Sequence, residues 1–372
     1  MLPQLPTIDP LPLPAPAWLL WSLLTLTFVL HLLPMNLVLG GSIIGAVARV
    51  RARRLPQAAA LAALVARSMP VLVAAAVTFG VAALLFLQAL YGRLFFTAAV
   101  LLAAPWLSVV PVLILLYYGT YLARPTDARP LPPAWLLWAV ALGFAAIAFV
   151  YSNVMGLVLR PQEFAGRFQA TASGLQLGFG DPTLVPRFLH MLLGALAVSG
   201  LAVSLSGNHA RARNPEFATW AARQGVYWCT GATILNFLPG FWWLAALPRE
   251  VLLGFMGQNP LATTWFVLGV LAALGGLALL VPAAFAPQPG RLLLGATGAL
   301  VVGLVFMVLV RDAAREMTLA RIGFRTTPWV EPQWGPIGIF AVLLVAALAC
   351  VIWMVAALWK GAGVAEESRI GN

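Results

Sequence analysis

Nine apolar stretches, uncharged except for an arginine at the edge of two of them, run through this chain at 18–47, 69–91, 94–122, 134–159, 187–206, 224–247, 262–285, 291–310 and 336–359. About 20 apolar residues are enough for a helix to cross the hydrocarbon core of a bilayer. Lipid offers no partner to a backbone N–H or C=O, so each crossing segment must satisfy its own backbone as a helix. The spacing predicts an all-α, polytopic membrane helix bundle of about nine transmembrane helices over residues 18–360. A Pro-rich segment, 1–17, precedes it and a tail, 361–372, follows. A composition of 62% hydrophobic and 9% charged residues, with a mean hydropathy of +0.94, excludes a water-soluble domain.

The net charge of +11 is carried by arginines and one lysine, Lys360, dispersed over many short loops. Dispersed charge of this kind reports membrane topology, and nucleic acid is not expected as a partner. Arg49, Arg51, Arg53, Arg54, Arg124, Arg129, Arg211, Arg213, Arg223, Arg291, Lys360 and Arg369 fall on one side of a nine-helix topology. Arg93, Arg160, Arg167, Arg187, Arg249, Arg311, Arg315, Arg321 and Arg325 fall on the other, in longer loops. The positive-inside rule makes the first side cytoplasmic, with the N-terminus outside and the C-terminus inside.

The stretch 151–200 concentrates the chemistry. It leaves one apolar segment through Leu159-Arg160-Pro161, crosses a polar loop, and re-enters at Pro186-Arg187-Phe188-Leu189-His190. An ionisable side chain inside a span is costly unless partnered, which makes His190 a functional candidate, placed about one helical turn inside. His31 stands three residues before Pro34, which frees a backbone carbonyl that the imidazole could bond; the same placement suits a metal ligand. Gly41 and Gly45 suit close helix packing. No acidic residue occurs between Asp9 and Asp127, so the first three helices supply no carboxylate ligand or proton carrier.

Elsewhere Tyr91-Gly92-Arg93 is expected to be a tight turn between the second and third helices, and 207–213 a basic turn. The segment 311–335 is expected to be an amphipathic outer loop fit to dock a partner or lie on lipid. Arg249 and Glu250 suggest a solvated surface pair. Cys229 and Cys350 lie in apolar segments as small buried residues, with no CxxC spacing for a disulfide framework or zinc site. No nucleophile, base and orienting group cluster as hydrolases and transferases require.

The order of these features resembles subunit I of the cytochrome bd quinol oxidases. The residues that carry it are Ser152-Asn153-Val154-Met155-Gly156, read as a helix-ending turn, then Arg160-Pro161-Gln162 and Arg187-Phe188-Leu189-His190. His31 falls at the place of the family's helix-one histidine, and Ala314-Arg315-Glu316-Met317 with Ile322-Gly323 and Arg325-Thr326 resembles its Gly-Arg-Gln-Pro-Trp loop. The resemblance implies a haem b iron bound by His190 and, for His31, the helix-one ligand role in the family's dihaem oxygen-reducing centre; His31 or Met155 is the candidate for the sixth ligand of the His190 haem, and Arg187 or Arg315 for pairing with its propionates. It also implies a quinone site, other respiratory-complex subunits as partners and a bacterial inner (cytoplasmic) membrane location.

The departures are specific. Leu102 and Val110 stand where the family's third-helix glutamates would be, 261–280 has no methionine, and only 248–260 remains of the long quinol-binding loop. Oxygen reduction needs protons at the haem, so terminal oxidase activity is not expected. The resemblance then implies an electron-transfer subunit between the quinone pool and an outer redox partner such as a multihaem c-type cytochrome. The alternative is a haem-free anchor subunit. A transporter would call for inverted repeats and intramembrane acids.

Overall fold

Eleven α-helices follow one another in a computed structural model that describes residues 11–370 apart from 127–129, 171–172, 211–213, 287–288 and 327–328; for 351 and 354–370 the backbone alone is described. They are α1 (Ala17–Arg51), α2 (Pro56–Leu101), α3 (Ala103–Leu122), α4 (Ala134–Val158), α5 (Phe164–Ala170), α6 (Leu184–His209), α7 (Pro215–Ala245), α8 (Arg249–Leu253), α9 (Pro260–Ala283), α10 (Gly290–Arg321) and α11 (Trp334–Ile370). Arg129, Arg211 and Arg213, the side chains of Lys360 and Arg369, residues 1–10 and residues 371–372 lie outside the described set.

Among the described residues α1, α2, α3, α4, α6, α9 and α10 are long and apolar enough to cross a membrane, the architecture of a multi-pass membrane protein. α7 and α11 coincide with the two remaining apolar stretches of the sequence. Helix starts follow local chemistry. Pro56, Pro215 and Pro260 open their helices at positions whose N–H has no intrahelical partner, and Asn214 and Asn259 accept the backbone N–H of Phe217 and Ala262, each at 3.1 Å.

The described chain forms two compact units, one within 21–326 and the other made of 11–20 with 329–370. In the smaller unit the described part of the Pro-rich segment before α1 is not helical, and Leu13 exchanges backbone hydrogen bonds with Trp329 and Glu331, both 2.9 Å. In the larger unit α6 and α7 lie backbone against backbone. A Cβ on Gly225 would come within 2.3 Å of the Ser204 nitrogen, and one on Gly207 within 2.6 Å of the Ala222 nitrogen. Glycine removes that obstacle, and Ser204 Oγ then donates across the gap to the Ala222 carbonyl at 3.0 Å. Gly40 allows α1 equally close to the Ala195 carbonyl of α6, beside Ser199 Oγ donating to the Asn36 carbonyl at 2.9 Å. Gly41 and Gly45 instead face Met69 and Val65 of α2, a packing role as expected.

Several boundaries differ from the sequence expectation. At Tyr91 two helical segments of α2 meet across a kink, Tyr91 being non-helical (φ −125°, ψ 21°), so the chain changes direction where the turn is expected but with no loop; the second segment runs on to Leu101, and a further break follows at Leu102. The Tyr91 hydroxyl is held from two sides and the ring is buried, so the chain kinks around an anchored residue instead of turning. Ser152–Gly156 is helical, since α4 runs on to Val158, and within it Asn153 Nδ2 donates to the Phe149 carbonyl four residues back. α6 likewise runs through 207–209. The supposed outer loop from Arg311 is α10 as far as Arg321, with Asp312 and Arg315 buried, so that stretch is not a free docking surface. Glu250 pairs with Arg321 at 2.9 Å, not with Arg249. Cys229 is buried as expected, but Cys350 is exposed.

Replacing Gly225 with alanine is expected to destabilise the α6–α7 contact by about 1–3 kcal/mol, the usual cost of overpacking. Gly298, which has open space around it, serves as control. Thermal midpoints of the two alanine variants in detergent check this, and equal midpoints would contradict the close approach.

Candidate functional site

Asp181 organises the connection between α4 and α6. Its Oδ1 accepts from the Thr183 backbone N–H (2.9 Å) and hydroxyl (2.8 Å), which shapes the turn that starts α6. Its Oδ2 lies 3.3 Å from Arg187 Nη2 and 3.6 Å from Arg160 Nη2, so one buried carboxylate holds an arginine from each side of the loop. Arg187 also donates to the Ser152 carbonyl at 3.0 Å and to Thr183 Oγ1 at 3.2 Å. Gly156 makes room, since a Cβ there would meet Arg187 Nη2 at 2.5 Å and Asp181 Oδ2 at 2.6 Å. Arg160 and Arg167 share Glu163 at 2.8 and 2.9 Å, and Asn153 Oδ1 receives the Gly178 N–H at 2.8 Å. Phe188 packs edge-on against Phe149 at 5.3 Å between centroids, fixing the rotation of α6. His190 lies three residues beyond Arg187, on the same side of the helix. It is the seventh residue of α6, nearly two turns in, because α6 starts at Leu184.

The two intramembrane histidines share one arrangement. His190 Nδ1 lies 3.2 Å from the Asn236 carbonyl of α7, and the ring rests over Gly240, where a Cβ would meet it at 3.1 Å. His31 Nδ1 lies 2.8 Å from the Ala76 carbonyl of α2, with its ring over Gly80, where a Cβ would meet it at 2.8 Å. In both pairs the glycine is four residues after the carbonyl, one helical turn on. A carbonyl oxygen can only accept, so Nδ1 carries the proton and Nε2 presents its lone pair. The carbonyl that Pro34 frees is therefore not the partner of His31. Among the described residues no hydrogen bond to either Nε2 is present. Asn236 Oδ1, beside His190, is buried with no hydrogen-bond partner.

A third group joins α1, α2 and α10. Thr25 Oγ1 donates to Asp312 Oδ2 at 3.1 Å, and Trp21 Nε1 donates to the Tyr91 hydroxyl at 2.9 Å; that hydroxyl in turn donates to Glu316. Arg315 Nη2 is in ionic contact with Asp312 Oδ1 at 2.9 Å, and its guanidinium lies 4.7 Å from the Tyr91 ring centre. The ionic contact is not aligned as a hydrogen bond, and none of the three Arg315 nitrogens has a hydrogen-bond partner. Arg311 sits over the Phe28 ring at 4.2 Å, and Phe28 lies 6.2 Å from the His31 ring.

Of the residues singled out in the sequence, the structure gives His190 and Arg187 one frame, through Asp181 and α4. His31 and Arg315 stand on different helices, linked by Phe28 and the α10 charges. Met155 is half-buried on α4, and no described polar or ring contact joins it to either histidine. Asp181, Asp312, Gly80 and Gly240 are missed by sequence reasoning. Asp181 and Asp312 are acids flanked by arginines in an acid-poor chain, a signal that was available. Gly80 and Gly240 carry none, because the residues they serve are remote in sequence.

No family model matches the chain, and no curated protein sequence matches it. Among solved structures it is similar to the bd oxidase from Geobacillus thermodenitrificans, with a TM-score of 0.72 and 14% identity over 94% of this chain and 99% of that one. The chain therefore has the fold of that protein.

Asp181→Ala is expected to strip Arg187 of its carboxylate and to leave Arg160 with Glu163 alone. The cost is on the order of 3 kcal/mol, the lower end for a buried pair, since both arginines keep some solvent contact. Limited proteolysis should then cleave within 160–183 at concentrations that leave the parent chain intact, and unchanged resistance would remove Asp181 from its organising role.

Proposed function

We propose that this protein is a membrane electron-transfer subunit of a respiratory complex, carrying haem b on His190 and passing electrons between the quinone pool and a redox partner at the Asp181 end. The observation that carries this reading is the doubled histidine arrangement. An Nδ1–H held by a backbone carbonyl fixes the tautomer and ring orientation that an Nε2 ligand of iron needs, and strengthens that nitrogen as a donor. The unpartnered Asn236 Oδ1 beside His190 is in keeping with a polar group arriving there. Bound haem would supply one-electron redox chemistry. The chain's own residues hold the imidazoles and offer donors to acidic groups, from Arg187 Nε, whose hydrogen bond is unused, and from Arg315, which is also ion-paired with Asp312. His31 and Met155 are the residues proposed for the remaining axial position.

The acid inventory argues against oxygen reduction. On α3 and at its start the chain has Val110 and the buried Leu102, and no carboxylate. The charge distribution supports a nine-span topology with the Arg51 end cytoplasmic and the N-terminus outside, in a bacterial inner membrane. The partner would then meet the outer face, where a multihaem c-type cytochrome suits one-electron exchange, and quinone would be reached through the shortened connection 248–260. A second reading has its own support. Each histidine already completes an interhelical hydrogen bond and packs over a glycine, which is a full structural role in a haem-free anchor subunit.

A reduced-minus-oxidised spectrum of the purified protein separates the two. The electron-transfer reading expects a b-type α-band that is lost in His190→Ala while the protein still elutes as a single species. Absence of the band from protein purified with its native complex, or its full retention in the variant, would leave the anchor reading.

A further inference from the structure

At the Arg51 end, an open cleft of about 470 Å³ lies between the first turns of α2 and α7, lined by Gln57, Glu216, Trp220, Arg223, Gln224 and Tyr227 among others. A narrower crevice shares Trp220 and Gln224 with it and reaches Arg51 and Trp228. Arg51 and Arg223 are exposed, and among the described residues neither makes an ion pair. Arg53 and Arg54 follow in the loop leading to Gln57. The one carboxylate in the cleft, Glu216, accepts from the Gln57 amide. Within the cleft Arg223 is balanced by Glu216, but with the adjoining crevice included Arg51 and Arg223 face that one carboxylate, so the combined opening is net basic and aromatic, the composition that meets lipid headgroups at a membrane surface.

The cleft opens onto an apolar strip. Tyr227, Gly231, Ile234 and Leu238 recur at helical spacing on one side of α7. Tyr227, Ile234 and Leu238 are all exposed, and a Cβ on Gly231 would meet nothing within 4 Å. Gly231 is thus a notch in an otherwise bulky lipid-facing strip. A soluble anion would use the arginines but leave the strip idle, and a zwitterionic lipid would use the strip but leave the arginines without a net charge to neutralise.

We propose that this cleft, together with the crevice that adjoins it at Trp220 and Gln224, binds an anionic phospholipid, with its phosphate between Arg51 and Arg223 and an acyl chain lying along α7 over Gly231. The site stands apart from the histidines and does not rest on the electron-transfer reading.

Native mass spectrometry of the full chain in detergent tests it, titrating phosphatidylglycerol and phosphatidylcholine of identical acyl chains. The first phosphatidylglycerol should bind in preference, and the preference should fall about fivefold for each of Arg51→Gln and Arg223→Gln, the worth of one basic residue near an anionic headgroup. Arg249→Gln, an exposed arginine at the opposite end, should leave it unchanged. Gly231→Trp should weaken both lipids alike by filling the notch. Equal binding of the two lipids to the parent chain, a preference that survives the double arginine variant, or displacement of the lipid by millimolar inorganic phosphate would each overturn the proposal.

Discussion

A polar side chain buried in a lipid-facing bundle has no water to fall back on, and its partner must come from a neighbouring helix or loop. Most of the specific contacts in Trp21–Thr326 follow from that constraint. Ser199 finds the Asn36 carbonyl, Ser204 the Ala222 carbonyl, and the two histidines the carbonyls of Ala76 and Asn236. Where charge is buried it is compensated: Asp181 is shared by two arginines, and Asp312 is met by Arg315 and Thr25. Since lipid gives no hydrophobic reward for burying one helix against another, such bonds and close packing decide which helix faces which.

The close packing has its own requirement. Backbone carbonyls are reachable by a side chain from the next helix only where nothing projects between, and glycine supplies that at each place it matters. Gly40 and Gly225 bring helix backbones together, Gly156 admits the Arg187–Asp181 pair, and Gly80 and Gly240 seat the imidazoles. The hydrogen-bond constraint and the glycine positions are thus one design. The ring that bonds the carbonyl of residue i rests over the glycine at i+4, so neither can be altered without the other.

The chemistry open to this scaffold is set by where acids are and are not. Between Asp9 and Asp127 there are none, and the buried carboxylates of the larger unit, Asp181 and Asp312, are committed to arginines. A bundle with anchored imidazoles and no free buried carboxylate on its first three helices is suited to holding an electron carrier and poorly suited to feeding protons to one. That contrast, more than the shared fold, motivates the electron-transfer reading.

Read alone, the sequence determines the all-helical membrane architecture and most helix positions, and it singles out His31 and His190 as candidates, because apolar runs and intramembrane ionisable residues are signals carried by each segment on its own. It finds the junction at Tyr91 but not its form: Tyr91 is anchored by Trp21 and Glu316 from remote helices, so two helical segments meet there across a kink, and a second break at Leu102 goes unread. It takes 311–321 for part of an exposed loop because five charged residues fall there, whereas Asp312 and Arg315 compensate each other one turn apart inside α10. Only the tertiary structure decides what each histidine bonds to, which glycine it rests over and which arginines Asp181 holds. Those are pairings between residues tens of positions apart, and periodicity within one helix contains no information about its neighbour's register.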